Sequence, residues 1–385
     1  MKKLLEHIAG WTALIPLKIA AALTGLRLCR VYTDRLGHMC VSELFIRKQK
    51  AGLIKTNPGR VFWHYDDFSK EPANKQLFAM IDRELHLRRS RFLYKLTALP
   101  PVAESSIIEA MPKRTSEYPP FSHLSPGLTF TPEEEAEGAA GLQKMGIGPK
   151  DWFVCFHNRD SSYLKKRYPK RDWAHHGFRD HSVENMIDAM RFVAEEGGFA
   201  LRMGAEISEK LPVRHPRIID YAAEHRSDFM DIFLPSRCRY MISGTAGMHA
   251  VSLIFNVPIG LVNFVPLTIA HNYKYSAFIP KTLRWKKNGA ELSAVDIFSR
   301  TETVCLEDAA GCAAAGIEII ENTPEEILGL TREVHEAAAG KRSYSEQDEQ
   351  RHRRYVEIAL RGRPAEHDAP RIARDFLDRH PSYLT

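Results

Sequence analysis

RYMISGTAGMHAVSLIFNVPIGLVN, residues 239–263, is the stretch on which the fold turns. Residues 239–243 read as a strand, Gly244 to Gly247 as a loop of small residues, residues 248–255 as a helix, and residues 259–263 as a second strand. The same alternation extends to both sides. Residues 152–157 (WFVCFH) form a buried strand, 182–196 a helix closed by Gly197-Gly198, 199–203 and 217–221 strands, and 228–238 a helix. Residues 318–320 are a late strand. Thr323-Pro324-Glu325-Glu326 then opens a helix: an N-cap residue, Pro at the first position, and acids at the positive end of the dipole. Strands alternating with helices predict a parallel, doubly wound sheet.

Upstream the pattern is looser. Residues 31–33 are strand-like, 34–39 a loop, 41–50 a helix, 60–65 (RVFWHY) a strand, and 74–99 helical up to Pro100-Pro101. Residues 112–132 are irregular, and Thr131-Pro132-Glu133-Glu134-Glu135 starts a helix that Gly146 ends. The expected fold class is therefore α/β, with two Rossmann-like domains facing a cleft. The expected boundaries are 1–30 for an amphipathic N-terminal region, 31–135 for the first domain, 136–340 for the second, and 341–385 for C-terminal helices.

Composition bounds the function. In 385 residues, 44% hydrophobic and 26% charged, the chain matches a globular protein and excludes a disordered or fibrous one. A net charge of +6 is too small to argue for nucleic acid. The six scattered cysteines form no C-x-x-C pair, which speaks against a zinc site or a disulfide scaffold and for reduced thiols in the cytoplasm. Residues 1–30 carry Lys2 and Lys3, then apolar runs interrupted by Glu6, Pro16 and Lys18 and followed by Arg27 and Arg30. Three readings stay open: a basic helix pair in a membrane interface with Trp11 at headgroup depth, an ordinary first helix buried on its domain, and a spanning anchor.

Ligands bind at the carboxyl ends of parallel strands. Residues there are His157, Asn158, Arg159 and Asp160 after one strand and Arg202 and Gly204 after another. Ser243, Gly244, Thr245, Ala246, Gly247 and His249 lie between a third strand and its helix. Arginine can grip phosphate in two-pronged fashion, Asp160 can orient it or bind a sugar hydroxyl, and a small-residue loop at a helix start offers amides to an anion. Asp228 and Asp231 share a helix face and can bind a sugar or cap a turn. In the first domain His38 can serve as a general base, with Asp34 and Glu43 competing for the role. The histidines at 175, 176 and 181 match no standard metal spacing.

The segments FVCFHNRDSSYL, RDHSVENMIDAM, ALRMG, IIDYA and SDFMDIFL, with residues 240–266, resemble an uncharacterised family of bacterial glycosyltransferases. DRLGHMCVSELFIR and GIEIIENTPEEI are similar to the same family. The resemblance implies a GT-B fold, with the donor held mainly by the second domain. More distantly, His157-x-Arg159 is similar to the diphosphate-binding motif of GT-B fucosyltransferases, and SGTAGMHAVSLIFNVP to the donor loop of heptosyltransferases. In the latter the first loop carries a catalytic Asp after Gly, where this chain has His38.

The resemblance thus implies metal-independent, inverting transfer of a sugar from a nucleotide-sugar donor, with no cofactor, to a glycan or lipid-linked acceptor in surface polysaccharide or lipopolysaccharide assembly. Arg159, Arg202 and the Gly244–Gly247 amides would stabilise the leaving diphosphate, and His38 or Asp34 would activate the acceptor. The setting is cytoplasmic, with peripheral contact to an anionic membrane on its inner face. The C-terminal residues would cross back to the first domain. Rival readings are an inactive nucleotide- or glycan-binding protein, a sugar-nucleotide epimerase of the same fold, and a membrane-associated scaffold.

Overall fold

The computed structural model describes residues 1–54, 60–66, 71–109, 121–170, 174–265, 277–299, 309–360 and 371–385. The chain divides into two compact units, Met1–Glu117 with His123–Pro132, and Glu133–Thr385 with Tyr118–Ser122.

The first unit opens with one continuous helix, Lys2–Thr24, rather than the helix pair of the interface reading; Pro16 is accommodated inside it and Gly25 ends it at φ 68°. Three parallel strands follow: β1 (Arg27–Arg30), β2 (Val61–Tyr65) and β3 (Arg88–Arg89), in the order β1-β2-β3. The first strand thus lies before the expected residues 31–33. The next helix, Leu36–Lys50, begins within the expected loop, so His38 stands in a helical first turn.

The single helix expected over 74–99 is broken. Asn74 caps the helix Lys75–Leu85 by accepting from Leu77 N. His86 takes a left-handed φ of 53°, and Asp82 Oδ1 accepts from Leu87 N at 2.6 Å. That local bond turns the chain out of the helix and into β3. Inside the unit, Glu43 and Arg47 form a fully buried ion pair at 2.9 Å. Gly127 N also donates to Glu43 Oε1, and a Cβ on Gly127 would lie 2.7 Å from Arg47 N, so only glycine lets this segment dock.

The second unit carries six parallel strands: β4 (Phe153–His157), β5 (Phe199–Arg202), β6 (Ile218–Ile219), β7 (Met241–Ser243), β8 (Ile259–Phe264) and β9 (Ala277–Pro280). Their order is β6-β5-β4-β7-β8-β9. The chain starts in the middle, winds outward to β6, then crosses over to β7 and winds the other way. This is the Rossmann strand order, and its switch point lies between β4 and β7. Residues of β5 and β8 are buried throughout, as expected for strands covered on both faces. The helices Ile187–Glu195 and Pro324–Ala338 supply apolar faces, the latter starting in a full capping box between Thr323 and Glu326.

A separate antiparallel pair, β10 (Thr282–Trp285) with β11 (Ile317–Ile320), holds the expected late strand. Asn263, buried near the end of β8, has φ 51°. It exchanges bonds with Asn322: each backbone N–H donates to the other's side-chain oxygen, at 2.6 and 2.8 Å. The described C-terminal residues group with this second unit. Phe278 N donates to Arg371 O and Ala373 N to Phe278 O, so residues 371–373 line the outer edge of β9.

Candidate functional site

All six strands of the second sheet point their carboxyl ends the same way, so residues distant in sequence share one rim. Register pairs Phe156 with Arg202 and His157 with Ser243. Gly244 N donates to His157 O at 3.1 Å, and Ser243 Oγ lies 3.4 Å from His157 Nδ1. Arg202 is only 1% exposed. It donates Nη1 to Asp220 Oδ1 (3.2 Å) and Nε to Asn158 Oδ1 (3.4 Å), while its buried Nη2 has no hydrogen-bond partner. Asp220 is held in turn by Leu211 N.

Beside Arg202 sits a second cationic group. The buried Arg159 guanidinium pairs with Asp180. The Asp180 carbonyl accepts from Lys281 Nζ at 2.6 Å, and Lys281, just past β9, is 4% exposed. His181 joins the two halves: its N–H donates to Arg159 O (3.1 Å) and its carbonyl accepts from Asn158 Nδ2 (3.3 Å). The His181 ring abuts Gly244, where a Cβ would fall 2.1 Å from Cε1. His181 Nε2 and Thr245 Oγ1 are buried without hydrogen-bond partners. Ala246 N donates to His249 Nδ1 at 3.4 Å.

Burial and neighbouring charges set the protonation of this rim. Burial pushes His157 down to about 3, and the positive charges of His181, Arg202, His249 and Arg159 push the same way. His181 is likewise pushed down to about 3, by burial and then Lys281, against the Arg179 carbonyl. Burial also lowers the Lys281 ammonium, although Glu321 and Asp180 favour its charge. With both imidazoles held neutral, the positive charge of the rim comes from its arginines and Lys281, groups suited to a polyanion.

Other expected site residues have structural partners. Asp160 Oδ1 accepts from Ser162 N (2.8 Å), and its Oδ2 accepts from Ser208 N (3.1 Å), so this carboxylate knits two loops together. Gly204 packs beside Ile207 and Ala222. Asp228 pairs with Arg226, which also holds buried Asp231; burial raises Asp231 to about 6. Lys166 pairs with Glu206. Arg171 and the side chains of His175 and His176 lie outside the described residues. Among the described residues, no three His, Cys, Asp or Glu side chains converge as metal ligands. Asp180, Asp220 and Lys281 were not foreseen as parts of the rim, and for Lys281 the only signal is its place directly after a strand.

The first unit has a rim of its own. At the start of the helix Leu36–Lys50, His38 Nδ1 lies 3.3 Å from Asp34 Oδ1. Burial alone would raise the Asp34 carboxyl, but the hydrogen bond and charge of His38, with Arg35, carry it below its ordinary value. The competing Glu43 is sealed in its pair with Arg47 and cannot serve as a base. At the end of β1, the Arg30 guanidinium lies over Tyr32 (5.2 Å) and Tyr94 (4.9 Å). Past β2, buried Asp66 meets Arg89 (3.7 Å) and Arg91 (3.3 Å). Burial and then Arg30 push His64 down to about 4.

No family model matches the chain, and no curated protein matches it. Among solved structures, it is similar to a family 9 glycosyl transferase from Veillonella parvula, with 10% identity, a TM-score of 0.35, and coverage of 61% of this chain and 80% of that one. It is also similar to the E. coli ADP-heptose lipopolysaccharide heptosyltransferase II (9%, TM-score 0.38, 66% and 90%). A third is the E. coli heptosyltransferase WaaC with ADP (9%, TM-score 0.31, 74% and 100%). Superpositions this loose assign no residue and no activity; the chain is an α/β protein with parallel sheets.

Proposed function

We propose that the protein is a GT-B glycosyltransferase using a nucleotide-sugar donor. One observation carries the reading. Along the carboxyl-end rim of the second sheet, buried Arg202 and Arg159 stand with Lys281 beside a small-residue loop, and Arg202 Nη2 and Thr245 Oγ1 have no hydrogen-bond partner. Buried polar atoms are normally paired, so an unpaired set on a cationic rim fits a missing polyanion. A nucleoside diphosphate suits that demand.

In the reaction the acceptor hydroxyl oxygen bonds to the anomeric carbon. The bond from that carbon to the diphosphate oxygen breaks, its electron pair leaving with the nucleoside diphosphate. Arg159, Arg202, Lys281 and the amides from Gly244 to Gly247 stabilise the departing charge, which is the role a metal plays elsewhere. The acceptor proton passes to His38 Nε2, with Asp34 holding Nδ1. A single displacement inverts the anomeric carbon. The acceptor is a bacterial surface glycan or its lipid-linked precursor, met at the cytoplasmic face of the membrane.

The test is a thermal-shift screen against UDP, GDP, CMP, ADP and dTDP and their sugar conjugates in EDTA. Ligand at 100 times its dissociation constant adds about 2.7 kcal/mol of stability. One nucleotide class should raise the melting midpoint of the wild-type chain, and Arg159→Ala should abolish the shift. No shift with any nucleotide overturns the proposal. Turnover of a nucleotide sugar without any acceptor would reassign the site to epimerisation.

A further inference from the structure

The helix Lys2–Thr24 rests on its own unit by a narrow face. Gly10 abuts Pro101, and buried Leu14 packs with Val102 and Ile107, with Leu17 and Ala21 alongside Leu96 and Leu99. The outward face bears Leu4, Ile8, Trp11, Ile15, Ile19 and Leu23, each more than half exposed. Their spacing follows the helical repeat, so they form one continuous apolar ridge on the outside of the protein. A ridge of this size in water marks a binding surface.

The surroundings indicate what covers it. Exposed Lys3 and Lys18 flank the ridge, and Arg60 lies against Gly25 at the helix end. Phe92, 72% exposed, shares a face with Leu96, which packs on the same helix; Arg88, Arg89 and Arg91 adjoin it. Glu6 is the sole acid within the helix. We propose that the ridge lies in the headgroup plane of an anionic phospholipid bilayer, with the helix axis parallel to the surface and its opposite face still packed on the unit. An apolar strip edged by cations matches such a surface, whereas two copies of it would bring like charges together. The helix is long and apolar enough to span a membrane. Spanning would, however, strip Leu14, Leu17 and Ala21 from their packing partners.

The experiment is flotation of the full chain with phosphatidylcholine vesicles, with and without phosphatidylglycerol. Truncation would uncover the Val102–Ile107 face, so the variant is Ile8→Glu/Ile15→Glu/Ile19→Glu, which alters exposed positions only; its melting midpoint checks the fold. Binding should need phosphatidylglycerol, weaken with salt, be released by alkaline carbonate, and fall at least about tenfold in the variant. Failure of the wild-type chain to float overturns the proposal, as does carbonate-resistant retention, the mark of a spanning helix. So does a lipid-independent dimer that the variant splits. None of these outcomes depends on nucleotide binding.

Discussion

Gly244→Ala tests whether the rim is one mechanical unit. The added methyl would start 2.1 Å from His181 Cε1, whereas ordinary contact begins near 3.4 Å. The ring must retreat by more than about 1 Å, because packed interiors do not absorb such overlap. His181 is not free to retreat alone. Its N–H is tied to Arg159 O and its carbonyl to Asn158, which in turn contacts Arg202. Overpacking of this kind costs about 1–3 kcal/mol, a fall of roughly 2–10 °C in melting midpoint. Nucleoside diphosphate affinity should fall with it, because both arginines shift. The assay is a double-mutant cycle with His181→Ala, read by chemical denaturation. Without the imidazole the methyl has room, so Gly244→Ala should then cost less than about 0.5 kcal/mol, giving a coupling close to its whole effect. Equal costs in both backgrounds would refute the contact and the linkage drawn from it.

The buried histidines set an acid limit. In the unfolded chain they protonate near 6.5, but His157 and His181 fold with values of about 3 and His64 of about 4. Below about pH 6.5 the unfolded state therefore binds more protons, and each histidine removes about 1.4 kcal/mol per pH unit. Asp231, raised by burial, and His380, raised by its bond to Glu326, act in the opposite sense, so the net decline is smaller than the sum. A melting midpoint that rises steadily from pH 7 to pH 5 would contradict the histidine assignment. Lys281→Met removes a buried charge and should leave stability equal or higher while weakening nucleoside diphosphate binding about tenfold or more; calorimetry checks both, and unchanged affinity excludes Lys281 from the site. Glu43→Gln breaks a fully buried pair and should cost about 3–5 kcal/mol in urea unfolding. His38→Ala should slow transfer about 10²–10⁴-fold with donor affinity intact, measured by single-turnover kinetics; a drop in donor affinity alone would remove it as the base.

Much of the second unit could be read from the sequence because parallel strands covered on both faces appear as unbroken apolar runs, as in FVCF and IGLVNF. Arg159 and Arg202 could be placed at strand ends by the same reading. β9 has no clear sequence signature because AFIP is short and closes on proline, and Lys281 beyond it gains its place through a distant contact with Asp180. The bonds from Ser208 to Asp160 have no sequence signal, because Ser208 lies in a loop that no local pattern connects to it. In the first unit, periodicity ran smoothly through residues 74–99, and only the side chain of Asp82 turning back on Leu87 N breaks it. Gly37 suggests a turn and so a loop position for His38, but the helix starts at Leu36 and accommodates that glycine.

The reciprocal bonds between Asn263 and Asn322 have a bearing on timing. Asn263 holds a left-handed backbone that asparagine tolerates but does not prefer. Its partner lies 59 residues further along and also donates to Pro280 O and Glu326 Oε2. The end of β8, the end of β9 and the start of the helix Pro324–Ala338 therefore close around one side chain. None of the three is complete until the others arrive, so this corner assembles late and opens as a block. In hydrogen exchange, the amides of Asn263 and Asn322 should be released together, at one common rate.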